Sequence, residues 1–179
     1  VDFVIEAAAE PSVLAGIDGT PDYVVNTNLA GTINCLNYAV KQKAAIIFLS
    51  TSRIYPFALL DEVAYEESPT RFVISKQQSI RGVSQNGIST DFPLDGTRSL
   101  YGATKLASEL LITEYIEFLG LDAVVNRCGV LTGPWQMGKV DQGVIVLWMA
   151  RHFWKKNLTY NGYGGMGKQV RDILHIHDL

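Results

Sequence analysis

The sequence is poor in the residues that staple or metallate small proteins. It has two cysteines, Cys35 and Cys128, far apart and without metal-type spacing, and three histidines. A disulfide framework and a zinc module therefore find no support, and the cysteines read as reduced thiols in a cytoplasmic protein. No apolar run approaches the roughly 20 residues that span a bilayer. The opening Val-Asp-Phe-Val-Ile has neither the basic stretch nor the cleavage site of a signal peptide, so no membrane partner is expected. It also lacks a starting Met, which fits a chain beginning partway through a protein. Neither sign of charge dominates: 15 Lys and Arg face 18 Asp and Glu, net −3, and nothing favours a nucleic acid.

What is present is ordinary for an α/β protein: 179 residues, 47% hydrophobic and 18% charged, enough for a sizeable core. Phe3 to Ala9 is a short apolar run, read as a strand buried on both faces. A helix follows, with Thr20 placed to cap it, Pro21 in the first turn and Asp22 facing the positive dipole end. Its apolar stripe is Val25, Leu29, Ile33, Leu36 and Val40. Ala44 to Leu49 reads as a second strand, ending in Ser50-Thr51-Ser52. Residues 56–97 carry Asn86-Gly87 and Asp95-Gly96 and read as an insertion with little core of its own. A long helix is predicted from about Leu100 to Phe118, stopped by Gly120. Its buried stripe is expected at Ala103, Ala107, Leu110, Leu111, Tyr115 and Phe118. Asp122 to Leu131 and Val170 to Ile176 read as strands and Gly143 to Trp154 as a helix. Alternating strands and helices imply a parallel sheet with right-handed crossovers.

Tyr101 and Lys105 stand four apart, one turn from each other on one helix face. An ammonium beside a phenol favours the phenolate, which makes the oxygen usable as an acid or base. Alone, that spacing also arises on helices by accident. Its company is Ser50-Thr51-Ser52-Arg53-Ile54-Tyr55, whose hydroxyls emerge at the carboxyl end of a strand, where such sheets bind ligands; capping a turn is the other reading of those hydroxyls. Gly162-Tyr163-Gly164-Gly165-Met166-Gly167 spells a dinucleotide fingerprint but does not stand between a first strand and a helix, so it is set aside. Asp141-Gln142-Gly143 opens a helix and offers free N–H groups to an anion, or simply starts the helix. His175 and His177 have no third ligand, so no metal is expected. Arg171 suits a phosphate or a salt bridge to a neighbouring aspartate. Trp135 and Trp148 read as core or pocket wall.

These residues together resemble the extended short-chain dehydrogenase/reductase family, the NAD-dependent nucleotide-sugar epimerases and dehydratases. Val4-Ile5-Glu6-Ala7-Ala8-Ala9 resembles the fourth strand and its Ala-Ala turn, Asn28-Leu29-Ala30-Gly31-Thr32 the Asn-x-x-Gly-Thr segment, and Val170-Arg171-Asp172 the segment that reaches the substrate diphosphate. Thr51, Tyr101 and Lys105 fall on the catalytic positions. The resemblance implies a Rossmann-type doubly wound parallel sheet, incomplete here, with the glycine-rich phosphate loop lying upstream. Residues 1–134 would be the later part of the NAD-binding domain, carrying the insertion, and 135–179 the start of the substrate-binding region.

The resemblance further implies NAD held by Ala7, Ala8, Ala9, Asn28, Ser50, Tyr101, Lys105 and Arg127. A nucleotide sugar would be met by Glu10, Ser52, Arg53, Gln142, Gly143 and Arg171, in a protein that is a homo-oligomer at full length. Two departures stand out. Glu6 occupies a place where the family commonly has histidine. Ser52 and Arg53 replace the acidic pair that sugar dehydratases carry after the catalytic threonine, which argues for epimerisation. Asp91-Phe92 to Tyr101, Asp141-Gln142-Gly143 and Gly167-Lys168-Gln169-Val170-Arg171-Asp172 resemble the branch that inverts C2 of CDP-linked paratose. A 4-epimerase, a sugar reductase, or a non-catalytic binding protein on the same fold are the alternatives. With its neighbouring strand missing, the first strand would be an open apolar edge, so the 179 residues alone are expected to aggregate or bind NAD poorly.

Overall fold

A computed structural model describes residues 1–17, 20–138 and 143–179. Asp141 and Gln142, named above, lie outside the described residues. The chain divides into two compact units, one of Val1–Ala58 with Leu94–Cys128 and one of Leu59–Pro93 with Gly129–Leu179. The predicted insertion thus contributes most of its length to the second unit.

The first unit is built on three parallel strands. β1 (Phe3–Glu6) leads to α1 (Pro21–Val25), a π-helical turn (Asn26–Ala30) and α2 (Gly31–Gln42). β2 (Ala45–Thr51) follows, and after the second unit's first segment the chain returns as α4 (Leu100–Leu119) and β7 (Ala123–Cys128). The strand order is β1-β2-β7, with Phe3 beside Ala45 and Ser50 beside Arg127. Each parallel neighbour is reached by a helical crossover, as parallel pairing requires.

α2 and α4 both lie against the same sheet face. Leu36 and Ala39 from α2, Ile46 and Phe48 from β2, Ile112 from α4 and Leu121 form the core. Because strand side chains alternate, the opposite face behaves differently. Phe3 and Ile5 are 65% and 67% exposed, so β1 is not the doubly buried strand that its apolar composition implies. Two helices on one face leave the other without a cover among the described residues.

The helix after β1 also departs from expectation. Thr20 sits at the N-cap position, but its side chain makes no capping hydrogen bond. The buried stripe is Val24, Asn28, Thr32, Leu36 and Ala39, rather than Val25, Leu29, Ile33, Leu36 and Val40. The two stripes coincide only at Leu36; elsewhere the buried residue is the one before that expected, on both sides of the π turn. Polar Asn28 and Thr32 are buried because each has a partner. Asn28 accepts from the Glu10 N–H at 2.7 Å and donates to the Glu10 carbonyl at 3.2 Å, and Thr32 Oγ1 donates to its own helix at the Asn28 carbonyl.

α4 begins at Ser99, whose hydroxyl accepts from the Gly102 N–H at 3.1 Å, and ends at left-handed Gly120 (φ 65°). Its extent matches the sequence; its buried face does not. Gly102, Thr104, Lys105, Ser108, Glu109 and Ile112 are inside, while Ala103, Leu110 and Phe118 are exposed. Of the expected stripe, only Leu111 and Tyr115 pack against the core.

The second unit holds α3 (Phe57–Asp61, whose first two residues fall in the first unit), an antiparallel pair β3 (Tyr65–Glu67) and β4 (Phe72–Ile74), and a second pair β5 (Val83–Ser84) and β6 (Gly87–Ile88) turning at Gln85-Asn86. The Tyr65 and Phe72 rings meet edge-on at 4.9 Å, and Lys168 bonds Glu67 at 2.6 Å. The last predicted strand before the Gly-Pro turn is broken at Gly129: β8 (Val130–Thr132) is separate and pairs in parallel with β9 (Ile173–His175). α5 (Val144–Phe153) starts after left-handed Gly143. Trp135 is 93% exposed, not core, whereas Trp148 is half-buried with its ring 5.4 Å from Tyr160.

Candidate active site

The three strands of the first unit end at one side of the sheet, at Glu6, Thr51 and Cys128. α4 begins beside this edge, and a residue every fourth position faces it: Tyr101, Lys105 and Glu109. The turn Ser52–Ile54 after β2 is pinned by Thr51, whose Oγ1 accepts from the Arg53 N–H at 3.2 Å.

Thr51 and Tyr101 are brought together, with the Thr51 hydroxyl close enough to the phenol to favour its ionised form. Burial pushes the Tyr101 phenol above its ordinary value; the Thr51 hydrogen bond and the Arg53 guanidinium pull it back, and Cys128 pushes it up again. This corrects the expectation from spacing, in which Lys105 lowers the phenol. Desolvation of the phenolate outweighs the neighbours, and the neighbouring cation that acts is Arg53. Replacing Arg53 by Gln should therefore move the Tyr101 titration further upward. Phenolate absorbance against pH, with Tyr101→Phe as the blank, reads this directly, and a downward or null movement contradicts it.

Lys105 is almost completely buried, and its ammonium is turned toward the end of β1. Nζ donates to the Leu49 carbonyl at 3.0 Å, lies 3.8 Å from Glu6 Oε2 and sits 4.4 Å from the Phe48 ring centroid. Burial pushes the ammonium below its ordinary value, with Glu6 and then Cys128 opposing.

Ser50 and Arg127, expected at the cofactor, are engaged with a third residue. Ser50 Oγ donates to Glu109 Oε1 at 2.5 Å, and Arg127 grips the same carboxylate from Nη2 at 2.8 Å and Nε at 3.1 Å. Composition did not single out Glu109. Continuing the Tyr101–Lys105 interval by one more turn finds it.

The remaining assigned residues fall as follows. Ala7 and Ala8 are exposed and Ala9 half-buried, in the turn after β1. Asn28 fixes that turn through Glu10 and also donates to Thr104 Oγ1 at 3.2 Å. Glu10 Oε1 accepts from the Ser12 N–H, while Ser52 and Arg53 are exposed. In the second unit, Gly143 precedes α5 and exposed Arg171 donates to Gln169 at 2.7 Å. The His175 and His177 rings meet edge-on at 4.8 Å, and no metal-type cluster occurs among the described residues. The glycine-rich run at 162–167 is a loop with left-handed glycines rather than a strand-to-helix turn, so setting it aside holds. No helix among the described residues is long and apolar enough to cross a membrane.

The chain is similar to known proteins. The chain is 30% identical over 183 residues to CDP-paratose 2-epimerase of Salmonella typhi, covering 99% of this chain and 51% of that protein. It is 28% identical over 185 residues to UDP-glucuronate 4-epimerase of Thermodesulfobacterium geofontis, covering 100% of this chain and 46% of the other. Among solved structures, a double mutant of the dTDP-glucose 4,6-dehydratase DesIV from Streptomyces venezuelae, with NAD bound, aligns with a TM-score of 0.68 at 26% identity, covering 99% of this chain and 45% of that one. The chain thus spans about half the length of the relatives it matches. The model of the NAD dependent epimerase/dehydratase family matches residues 1–179, and the chain belongs to that family.

Proposed function

We propose that the protein is a NAD-dependent nucleotide-sugar epimerase that oxidises a sugar carbinol transiently and reduces it on the opposite face. The favoured reaction is inversion at C2 of CDP-paratose to give CDP-tyvelose. The observation that carries this reading is the Thr51 hydroxyl placed beside the Tyr101 phenol at the carboxyl end of the sheet.

Two features of the site suit NAD. The turn after β1 is three successive alanines, two of them exposed, so no bulky side chain occupies that edge. The Lys105 ammonium has three donors, of which the Leu49 carbonyl takes one; a donor is left for a ribose hydroxyl. NAD, when bound, supplies the acceptor and donor of hydride. Tyr101, once ionised against the effect of its burial, would take the proton of the sugar hydroxyl, with the Thr51 hydroxyl bonding the same sugar oxygen. Tyr101 would return the proton to the keto sugar once it has turned over, and with hydride given back by the bound cofactor there would be no net redox. Asn28 holds the alanine turn, and Glu109 with Ser50 and Arg127 locks α4 to β2 and β7.

Glu10, Ser52, Arg53, Gln142, Gly143 and Arg171 are the assigned substrate contacts, in a cytoplasmic homo-oligomer. Ser52 and Arg53 support epimerisation over dehydration, because neither offers the carboxylic acid and carboxylate that water elimination needs. Full-length enzyme given CDP-paratose deuterated at C2 or at C4 tests the assignment. Slower turnover with the C2 label, retained in the product, is expected. Slowing by the C4 label instead assigns a 4-epimerase, and stoichiometric release of NADH overturns the cycle.

A further inference from the structure

A carboxylate buried beside the lysine is not needed by the steps above. Glu6 is the last residue of β1, 3% exposed, and its two oxygens are used unequally. Oε1 accepts from the Ala8 N–H at 3.1 Å, which ties the side chain to the alanine turn. Oε2 has no hydrogen-bond partner among the described residues and stands 3.8 Å from Lys105 Nζ. A neutral glutamine amide could keep the Ala8 bond. What it could not supply is the charge, and a buried, unbonded carboxylate oxygen is costly without a cation beside it. The arrangement therefore makes sense through Lys105.

We propose that Glu6 is the positioning residue of the active-site lysine, holding Lys105 Nζ at the Leu49 carbonyl and keeping it an ammonium at the pH where Tyr101 acts. The inference rests on the epimerase reading for its consequence in turnover, but not for its physical content. Burial alone drives Lys105 toward the neutral amine, and Glu6 is the largest opposing influence, followed by Cys128 at the end of β7. Burial likewise drives Glu6 toward the neutral acid, opposed by Lys105 on α4, the Ala8 N–H and Thr32 on α2. Cys35 on α2 also faces Glu6, whose charge raises its thiol. Each member of the pair thus opposes the other's loss of charge on burial. Glu6 is not among the groups that shift Tyr101, while Cys128 acts on both Tyr101 and Lys105.

The test uses full-length protein carrying 13C-labelled lysine, with the Lys105 resonance identified by its loss in Lys105→Met. In Glu6→Gln the Lys105 titration should fall by at least one pH unit, a tenfold change in proton affinity, while Glu6→Asp stays closer to wild type. The high-pH limb of kcat/KM should move down by the same interval with the low-pH limb fixed. If Glu6→Gln fails to fold, the reciprocal measurement decides: with 13C-labelled glutamate, Lys105→Met should raise the Glu6 titration. An unchanged titration in whichever variant is measured overturns the proposal. The resonance is read without sugar, so failure of the epimerase reading would appear in the substrate trials and leave this result standing.

Discussion

Replacing Tyr101 by Phe in the full-length enzyme is expected to lower kcat by about 10²–10⁴-fold, the usual contribution of a positioned acid/base. In the proposed cycle the phenol oxygen is the group that carries the proton, and the Thr51 hydroxyl stands beside it. The ring stays half-buried in either protein, so the fold should persist with a loss of about 0.5–1.5 kcal/mol for one hydrogen bond. Steady-state turnover and urea unfolding on the same preparation separate the two effects. Turnover within tenfold of wild type would remove Tyr101 from the chemistry.

Gly102→Ala is expected to be nearly as damaging, for a steric reason. In a helix interior alanine ordinarily gains roughly 0.8–1.0 kcal/mol over glycine. Here a Cβ would fall well inside contact distance of the Arg53 carbonyl oxygen and 3.0 Å from its carbonyl carbon. Both are backbone atoms, so no side chain can rotate away. Either the start of α4 or the Ser52–Ile54 turn must shift, which costs about 1–3 kcal/mol, as overpacking does, and outweighs the propensity. These two segments carry Tyr101 and Thr51, and a displacement of about 1 Å at a reacting pair costs on the order of 10²-fold in rate. The variant should therefore lose stability and kcat together. A more stable variant with normal turnover would mean that the two backbones are not held this close.

Much of this site was legible because its parts are local in sequence. Ser99 and Gly120 punctuate α4, and the interval from Tyr101 to Lys105 is read on one helix. The ending of β2 in hydroxyl residues is equally visible. What the sequence concealed depends on chain segments far apart. The apolar stripe of α4 misled because the helix turns Lys105, Ser108 and Glu109 inward, where Glu6, Ser50 and Arg127 meet two of them. Pattern reading sends such residues to solvent, since the partners that make their burial tolerable come from three different strands. The π turn at 26–30 was hidden for another reason: one additional residue in a helix rotates everything before it relative to everything after, and no residue type announces it. Lys105 was read as the phenol's electrostatic partner because α4 alone was considered; β1 brings a stronger claimant in Glu6.

Three hydroxyl residues stand in a row at the end of β2, yet they are not interchangeable. Ser50 points to the helix side of the sheet, where Glu109 holds its proton, and Ser52 lies out on the exposed turn. Thr51, alternating between them, is the one left facing the phenol. The cluster looks redundant on paper but contains no spare: a lineage that lost Thr51 would find its nearest replacement already bound to a carboxylate that also anchors Arg127, and freeing it would loosen the junction of α4 with two strands.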